Sequence, residues 1–185
     1  MKQPSLILIG GPNGAGKTTF AREILTSDLK GMRFLNADEI ARGLSPFDPA
    51  EVAFKAGRLL LRELDEQIRS QDSFALESTL SGRGHAPILR QARDQGYRIV
   101  LHFLWLPNPK ESIARVKQRV RKGGHHVPSE DIRRRYPRIF ENLVHLYLPL
   151  AHEWYFWSAR SLPPIPLANS ATHAIADVDG FLRSK

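Results

Sequence analysis

The 185-residue chain contains no cysteine. It therefore neither depends on disulfide bonds nor uses a thiolate nucleophile, and a reducing compartment such as the cytoplasm suits it. No apolar stretch approaches the roughly 20 residues that a helix needs to span a bilayer. Residues 1–4 are too short and polar for a secretory signal, because the apolar run that follows passes directly into glycines. We therefore expect a cytoplasmic protein without a membrane partner.

The sequence also lacks internal repeats, linkers and low-complexity tracts. Its length falls within the usual range for one domain and is sufficient to bury a hydrophobic core without metal or disulfide bridges. We therefore expect a single domain that covers residues 1–185.

Charge is unevenly distributed along the chain. The formal net charge is +8, yet residues 110–138 hold ten basic and three acidic side chains, a local net charge of +7 that leaves +1 for the remainder. A basic surface spread over the protein would suit a nucleic-acid duplex, whereas one basic segment suits the transferring phosphates of a nucleotide. The distribution therefore favours a kinase and disfavours nucleic acid as a partner.

Short apolar runs alternate with segments that have helical spacing of apolar residues. Such alternation predicts parallel strands joined by crossover helices, with ligands bound at the carboxyl ends of the strands. We therefore predict an α/β fold of the P-loop three-layer type, with a mostly parallel sheet of about five strands flanked by helices. The predicted strands cover residues 5–9, 33–36, 73–76 and 97–106, and the predicted helices begin near residue 16 and cover residues 50–71 and 85–95.

Two further helices are predicted at residues 109–122 and 129–145, separated by Gly-Gly-His-His-Val-Pro at residues 123–128. This pair predicts a helical, arginine-rich lid at roughly residues 109–145, with the break as its tip. Residues 150–157 either continue a helix or form a last strand. The prolines at positions 163, 164 and 166 then impose an extended segment.

A phosphate-binding motif, G-x-x-x-x-G-K-[ST], follows the first predicted strand and precedes a predicted helix, as this motif requires. Its glycines let backbone N–H groups turn inward around phosphate oxygens. Lys17 should contact the β and γ phosphates of ATP, and the hydroxyl of Thr18 should bind Mg²⁺. The residues expected to bind the nucleotide are Gly11, Pro12, Asn13, Gly14, Ala15, Gly16, Lys17, Thr18 and Thr19.

Asp38 follows the second predicted strand, so its carboxylate is expected at the carboxyl edge of the sheet, beside the phosphate-binding motif. In phosphoryl transfer, a carboxylate at this place orients the attacking hydroxyl and accepts its proton. Aspartate is also a preferred helix N-cap, and Asp38 precedes a helix-like Glu-Ile-Ala segment. The residues alone leave both roles open.

Glu77 closes the third predicted strand and is followed by Ser78, Thr79 and Ser81. A second carboxylate and three hydroxyls therefore reach the same edge of the sheet. Glu77 could bind substrate hydroxyls there or order the water molecules of Mg²⁺. A solvated strand end is the alternative.

The arginines of the predicted lid cannot all contact one ligand. Most residues of a charge run lie on a solvated face. About two should close on the transferring phosphoryl group and stabilise its spreading charge. Arg119 and Arg135 are the first candidates, and Arg115, Arg121 and Arg134 remain alternatives.

Motifs of other nucleotide-binding classes are absent from the sequence. The strand at residues 97–106 does not end in the aspartate typical of motor ATPases, and no N-K-x-D tetrad is present to bind guanine. Motor and GTPase functions are therefore disfavoured. A nucleic-acid-binding or polynucleotide-processing protein and an inactive, nucleotide-sensing partner of an antitoxin remain alternatives to a kinase.

Several segments together resemble the zeta toxin family over roughly residues 5–145. They are the phosphate-binding motif, Asn-Ala-Asp at 36–38, Glu-Ser-Thr-Leu-Ser at 77–81, Gly-Gly-His-His-Val-Pro at 123–128 and Ile-Arg-Arg-Arg-Tyr at 132–136. The family consists of phosphate-loop kinases with a nucleoside-monophosphate-kinase-like fold. Its founding toxins phosphorylate the 3′-hydroxyl of UDP-N-acetylglucosamine.

The resemblance implies an ATP-dependent, Mg²⁺-using kinase whose acceptor is the hydroxyl of a small molecule, and it implies an antitoxin protein as a partner. By the same resemblance Asp38 is the general base, and Glu77 and Thr79 contact the substrate. Lys17 and arginines of the lid stabilise the phosphates. After the last predicted strand, the resemblance leads us to expect an Asn-Ser pair, but Ser-Ala-Arg-Ser occupies residues 158–161. The resemblance therefore assigns no adenine contacts to these residues.

Overall fold

A computed structural model of the chain describes residues 3–184, so the expected domain limits at residues 1 and 185 lie outside the described range. The strands are β1 Ser5–Gly10, β2 Arg33–Asn36, β3 Phe74–Ser78, β4 Arg98–Trp105, β5 Glu153–Ser158 and β6 Ile165–Asn169. The helices are α1 Lys17–Glu23, α2 Ala37–Leu44, α3 Ala53–Ser70, α4 His85–Asp94, α5 Pro109–Arg121, α6 Ser129–Asn142 and α7 Ile175–Arg183. A π-helical turn, Leu143–Tyr147, and a 3-10 turn, Leu148–Leu150, continue from α6.

The sheet of residues 3–184 has six strands in the order β2-β3-β1-β4-β5-β6. The first five strands are parallel, and β6 runs antiparallel to β5. In this register Glu77 of β3 lies between Ile9 of β1 and Asn36 of β2. The carboxyl ends of β1, β2 and β3 therefore meet at one edge, where a sheet of this kind binds ligands.

Helices cover both faces of the sheet, and β1 shows why. Leu6 and Leu8 pack into a core cluster with apolar residues of α3, α4, α6 and α7. Ile7 and Ile9 pack into a second cluster with Phe20 of α1. A strand that is apolar on both sides is typical of a parallel sheet buried between helical layers. Among residues 3–184, no helix is sufficiently long and apolar to cross a membrane.

The predicted mostly parallel sheet with flanking helices is confirmed, and the structure adds a strand to the predicted number of about five. The segment at residues 150–157, for which helix and strand were both open, contains β5, and the extended segment after it contains β6. Pro166 is tolerated in β6 because this strand lies at the sheet edge. The helix α7 was not predicted, and α2 was foreseen only in the alternative that Asp38 caps a helix.

A histidine is buried among aromatic rings on the α1 face of the sheet. His102 of β4 is 8% exposed, stacks on Tyr155 with ring centroids 4.9 Å apart, and contacts Phe20 at 5.6 Å. Its Nδ1 atom is buried and has no hydrogen-bond partner within residues 3–184. Burial lowers the pKa of His102 from 6.5 to about 4, although the charge of Asp28 opposes this shift. The folded state therefore holds the imidazole neutral.

Acid should destabilise the protein through His102. Because the pKa is lower in the folded chain than in the unfolded chain, the unfolded state binds the proton first as the pH falls. The contribution of the neutral His102 imidazole to stability is complete above about pH 6.5 and is lost as the pH approaches 4. This loss lowers the free energy of unfolding by about 3 kcal/mol. His102→Phe keeps a ring beside Tyr155 but cannot be protonated, so urea denaturation should show a flatter pH dependence over this range.

The matched control is His145→Phe, which replaces an exposed histidine. This variant should keep the acid dependence of the wild-type protein. Equal slopes of unfolding free energy against pH in the wild type and His102→Phe would contradict the prediction.

Candidate active site

The phosphate-binding motif forms the turn between β1 and α1, and two of its glycines are required by close packing. Gly11 has a φ of 144°, and a Cβ there would lie 2.4 Å from the carbonyl oxygen of Leu104. Gly14 has a φ of 78°, and a Cβ there would lie 2.9 Å from the carbonyl oxygen of Ser112 on α5. Only glycine fits such positions. The loop is therefore packed directly against both β4 and α5.

Lys17 is the first residue of α1 and is 7% exposed. Its Nζ atom donates a hydrogen bond to the carbonyl oxygen of Pro12 at 3.2 Å and lies 3.8 Å from Oε1 of Glu77. Burial lowers the pKa of the Lys17 ammonium, while the carboxylates of Glu77 and Asp38 raise it. The nearby guanidinium of Arg119 lowers it further. Anionic phosphate oxygens at this loop would stabilise the charged form of such a buried amine.

Glu77 of β3 connects the end of β2 with the first turn of α1. Its Oε2 atom accepts hydrogen bonds from the Thr18 hydroxyl at 2.7 Å and from the Asn36 amide at 2.9 Å. The hydroxyl and carboxylate oxygens of Thr18 and Glu77 are hard ligands of the kind that Mg²⁺ prefers. Glu77 was expected either to bind substrate hydroxyls or to order the water molecules of Mg²⁺. Its contact with Thr18 favours the second role.

Asn36, and not Asp38, is the N-cap of α2. The Asn36 side-chain oxygen accepts a hydrogen bond from the backbone N–H of Asp38 at 2.8 Å. The alternative that Asp38 itself caps the helix is therefore wrong, because β2 ends with a residue that can do so. Asp38 lies in the first turn of α2, and within residues 3–184 its exposed carboxylate makes no hydrogen bond or ion pair. It is left available for a ligand.

Two cavities adjoin the phosphate-binding loop. The first, which we term the phosphate-loop cavity, has a volume of about 580 Å³. Its walls are formed by residues 14–19, by Glu77, by side chains of the α5 region, by Gly124 and by the segment that follows β5. The α5 region contributes Arg115, Gln118 and Arg119 of the helix and Lys122 directly after it. The segment after β5 contributes Ala159, Arg160, Ser161, Leu162 and Pro164.

The second cavity, which we term the Asp38 cavity, has a volume of about 490 Å³. Its polar lining includes Asp38, Thr79 and Arg135, together with His85 and the two histidines at positions 125 and 126. Three residues line both cavities, namely Lys17, Glu77 and Arg119. The cavities therefore meet at three charged side chains, two basic and one acidic.

The turn after β3 holds Thr79 in the Asp38 cavity. Leu80 is fully buried with a φ of 61°, a conformation that costs free energy for a residue with a side chain. The Asn142 amide of α6 donates to the Leu80 carbonyl oxygen at 2.9 Å and fixes the turn. The Thr79 hydroxyl then lies 2.9 Å from the Ser81 hydroxyl. Both hydroxyls are thus presented by a rigid turn.

A serine and a histidine at the wall of the Asp38 cavity interact with each other. The Ser78 hydroxyl lies 3.1 Å from Nδ1 of His85, and it accepts a hydrogen bond from the backbone N–H of Leu80 at 3.2 Å. Burial lowers the pKa of His85, so its imidazole is neutral at neutral pH. Sequence reasoning missed this residue, because its contact with Ser78 depends on the turn between β3 and α4.

The basic residues of the predicted lid, which comprises α5, α6 and the break between them, have different positions. Arg119 lines both cavities, Arg135 lines the Asp38 cavity, and Arg115 lines the phosphate-loop cavity. Arg134 pairs with Asp131 at 2.5 Å and lines neither cavity. The Arg135 guanidinium also lies near Asp131, at 3.7 Å. Lys122, which was not singled out from the sequence, joins Arg115 and Arg119 on one stripe of the helix at spacings of four and three residues.

The structure brings most of the predicted site residues to the two cavities. Gly14, Ala15, Gly16, Thr18 and Thr19 line the phosphate-loop cavity together with Lys17. Asn13 lines the Asp38 cavity instead, whereas Gly11 and Pro12 line neither and shape the loop behind them. The segment at residues 159–164 forms a further wall and approaches the loop through the pairing of β5 with β4. Its first residues overlap the place where the family resemblance led us to expect an Asn-Ser pair.

Known proteins resemble this chain in sequence and in fold. An uncharacterized protein of Haemophilus influenzae is 28% identical over 134 residues, which are 72% of this chain and 94% of that protein. A chain from the PezAT chromosomal toxin–antitoxin system of Streptococcus pneumoniae superimposes with a TM-score of 0.72 at 17% identity. The match covers 97% of this chain and 77% of that chain.

A chain from the AvrRxo1-ORF1:ORF2 complex with ATP is also similar in structure. Its TM-score is 0.75 at 18% identity, and the match covers 97% of this chain and 63% of that chain. At such identities the likeness concerns the fold alone. In sequence, the model of the AAA domain family matches residues 6–139, from β1 into α6. The chain therefore belongs to the AAA domain family and shares its fold with the chains of these two systems.

Proposed function

We propose that the protein is an ATP-dependent kinase that transfers the γ-phosphoryl group of ATP to a hydroxyl of a small molecule. The observation that carries this proposal is the meeting of two cavities at Lys17, Glu77 and Arg119. One cavity is bounded by the phosphate-binding loop, and the other contains the Asp38 carboxylate, which has no hydrogen-bond or ion-pair partner within residues 3–184. A kinase needs a donor and an acceptor on opposite sides of one transferring group.

The reaction follows from the positions of the charged groups. ATP occupies the phosphate-loop cavity, and the acceptor hydroxyl enters the Asp38 cavity. The oxygen of the acceptor hydroxyl forms a bond to the γ-phosphorus, and Asp38 accepts the proton of that hydroxyl. At the same time the bond between the γ-phosphorus and the β–γ bridging oxygen breaks, and ADP leaves. Lys17, Arg119 and Arg135 stabilise the negative charge that spreads over the transferring group.

Thr18 and Glu77 are the residues that would hold Mg²⁺ beside the phosphates, since a hydroxyl and a carboxylate are in hydrogen-bond contact there. When bound, the ion neutralises charge on the β and γ phosphates. Thr79 and its neighbouring hydroxyls then contact the acceptor, whose reacting group must face Asp38.

The acceptor to test first is a UDP-N-acetyl-sugar. The resemblance of five sequence segments to the zeta toxin family supports it, and the fold of a chain from a toxin–antitoxin system agrees with that resemblance. An antitoxin protein is the partner that the same resemblance implies.

Incubation of the protein with γ-labelled ATP and separate acceptors tests the proposal. The panel should contain UDP-N-acetylglucosamine and other UDP-sugars, nucleosides and short oligonucleotides. A labelled small molecule is the expected result. A labelled oligonucleotide would instead support a polynucleotide-processing enzyme, and ATP binding without transfer to any acceptor or to water would support a nucleotide-sensing protein.

Asp38→Asn should bind ATP with wild-type affinity and lose phosphoryl transfer to the labelled acceptor by at least about 10²-fold, because the amide cannot accept the proton. ATP affinity is measured by calorimetry and transfer by the labelled product. Asp65→Asn, on α3 and outside both cavities, is the control and should transfer normally. Retained turnover in Asp38→Asn would remove this residue from the mechanism.

Lys17→Ala should weaken both ATP binding and transfer. A hydrogen bond from a charged donor contributes about 1.5–3 kcal/mol, which corresponds to a loss of roughly 10- to 100-fold in ATP affinity. Lys117→Ala removes an exposed lysine of α5 that lines neither cavity. Equal ATP affinities of the two variants would show that Lys17 does not contact the phosphates.

Glu77→Gln should raise the Mg²⁺ concentration needed for half-maximal ATP binding by at least about tenfold, because a neutral amide replaces the carboxylate next to Thr18. Titrations of a fluorescent ATP analogue at several Mg²⁺ concentrations measure this. Glu63→Gln, which removes an exposed carboxylate paired with Arg33, should leave the dependence unchanged. A wild-type Mg²⁺ dependence in Glu77→Gln would exclude the proposed role.

A further inference from the structure

Arg119 has an unusual arrangement of contacts at the junction of the two cavities. One amino group of its guanidinium, Nη2, donates a hydrogen bond to the carbonyl oxygen of His125 at 2.7 Å. Its Nε atom is sealed from solvent and has no partner within residues 3–184. One side of the guanidinium is thus fixed by the lid tip, and a donor on the same group is left unsatisfied.

The lid tip turns back over the stem of Arg119 at Gly124. The backbone N–H of Gly124 donates to the Arg119 carbonyl oxygen at 2.9 Å. A Cβ on Gly124 would lie 2.4 Å from Cγ of Arg119 and 3.0 Å from its carbonyl oxygen. The carbonyl belongs to the end of α5 and cannot move aside freely, so any side chain at position 124 must displace the stem of Arg119 or open the turn.

We infer that Gly124 and the His125 carbonyl form a clamp that positions Arg119 between the nucleotide and the acceptor. This inference rests on the proposed function and adds a positioning role for the lid tip. Gly124 contributes by having no side chain, which lets the chain close over Arg119. The His125 carbonyl then fixes the direction of the guanidinium, and the amino N–H groups that do not contact His125 remain as donors for a phosphoryl oxygen.

A clamp is needed here because arginine is long and has many rotamers. Arg115 and Lys122 line the phosphate-loop cavity alone, whereas Arg119 is the cation from the α5 region that lines both cavities. A donor that stabilises charge only in the transition state must be held in place before the reaction. Misplacement by about 1 Å can reduce the rate by about 10²-fold.

A double-mutant cycle on the full chain tests the clamp. Gly124→Ala should lower ATP turnover, measured with water or an identified acceptor, by about 10²-fold and change the affinity for ATP much less. In the Arg119→Ala background the same substitution should have no further effect on turnover, because the residue that it displaces is absent. Gly57→Ala in α3, where a Cβ would meet no atom within 4 Å, is the control and should turn over ATP normally.

A second variant and a spectroscopic measurement keep the test independent of folding and of turnover. Arg119→Lys retains a positive charge but lacks the guanidinium that contacts His125, so it should lose turnover as Arg119→Ala does. In the wild type, the ¹⁵N resonance of the Arg119 Nε–H should shift when a non-hydrolysable ATP analogue is added, and in Gly124→Ala it should not. Circular dichroism and thermal melting establish that each variant is folded.

The outcomes separate the inference from the function on which it rests. A folded wild-type protein that neither hydrolyses ATP nor transfers its phosphoryl group would overturn the proposed kinase, whatever Gly124→Ala does. Turnover losses that add in the double variant, full activity of Arg119→Lys, or the same Nε–H response in the wild type and Gly124→Ala would each overturn the clamp alone.

Discussion

The parallel pairing of β1 with β3 determines the geometry of the whole site. It places Glu77 opposite Ile9 and next to the turn that forms the phosphate-binding loop. From there its carboxylate contacts Thr18 and Asn36 and lies 3.8 Å from the Lys17 ammonium. Because Asn36 also caps α2, the same network fixes the helix that presents Asp38. The pairings of β3 with β1 and with β2 therefore connect the groups proposed for the donor and for the acceptor.

The buried charges of this network are mutually dependent. Burial lowers the pKa of Lys17, and the neighbouring carboxylates of Glu77 and Asp38 oppose that shift. An isolated ammonium in this position would be expensive to bury, whereas one beside carboxylates and phosphate oxygens is stabilised in its charged form. The same reasoning applies to Arg119, whose sealed Nε–H has no hydrogen-bond partner within residues 3–184.

Local patterns in the sequence are sufficient to predict the phosphate-binding part of the site. The glycines and Lys17 of the phosphate-binding motif act within a few residues of one another, so their arrangement could be predicted from the sequence. The role of Glu77 could not be chosen from the sequence, because it depends on which strand lies beside β1. The strand at residues 97–106 carries no terminal acid, and β3 is the strand that places one beside the loop.

The N-cap of α2 and the wall formed by residues 159–164 are two further features that the sequence alone does not predict. Asn36 and Asp38 are both good N-caps, and the choice between them depends on the residue at which β2 ends. Residues 159–164 reach the loop through the distant pairing of β5 with β4, which no local pattern encodes. Lys122 could have been identified, since it continues the helical stripe of Arg115 and Arg119.

The central claim is that donor and acceptor meet at the junction of the two cavities. A crystal structure of the protein with a non-hydrolysable ATP analogue and Mg²⁺ tests it most directly. The account predicts a terminal phosphate between Lys17 and Arg119, facing the Asp38 cavity. A terminal phosphate directed away from this junction, with Arg119 and Asp38 remote from it, would contradict the account.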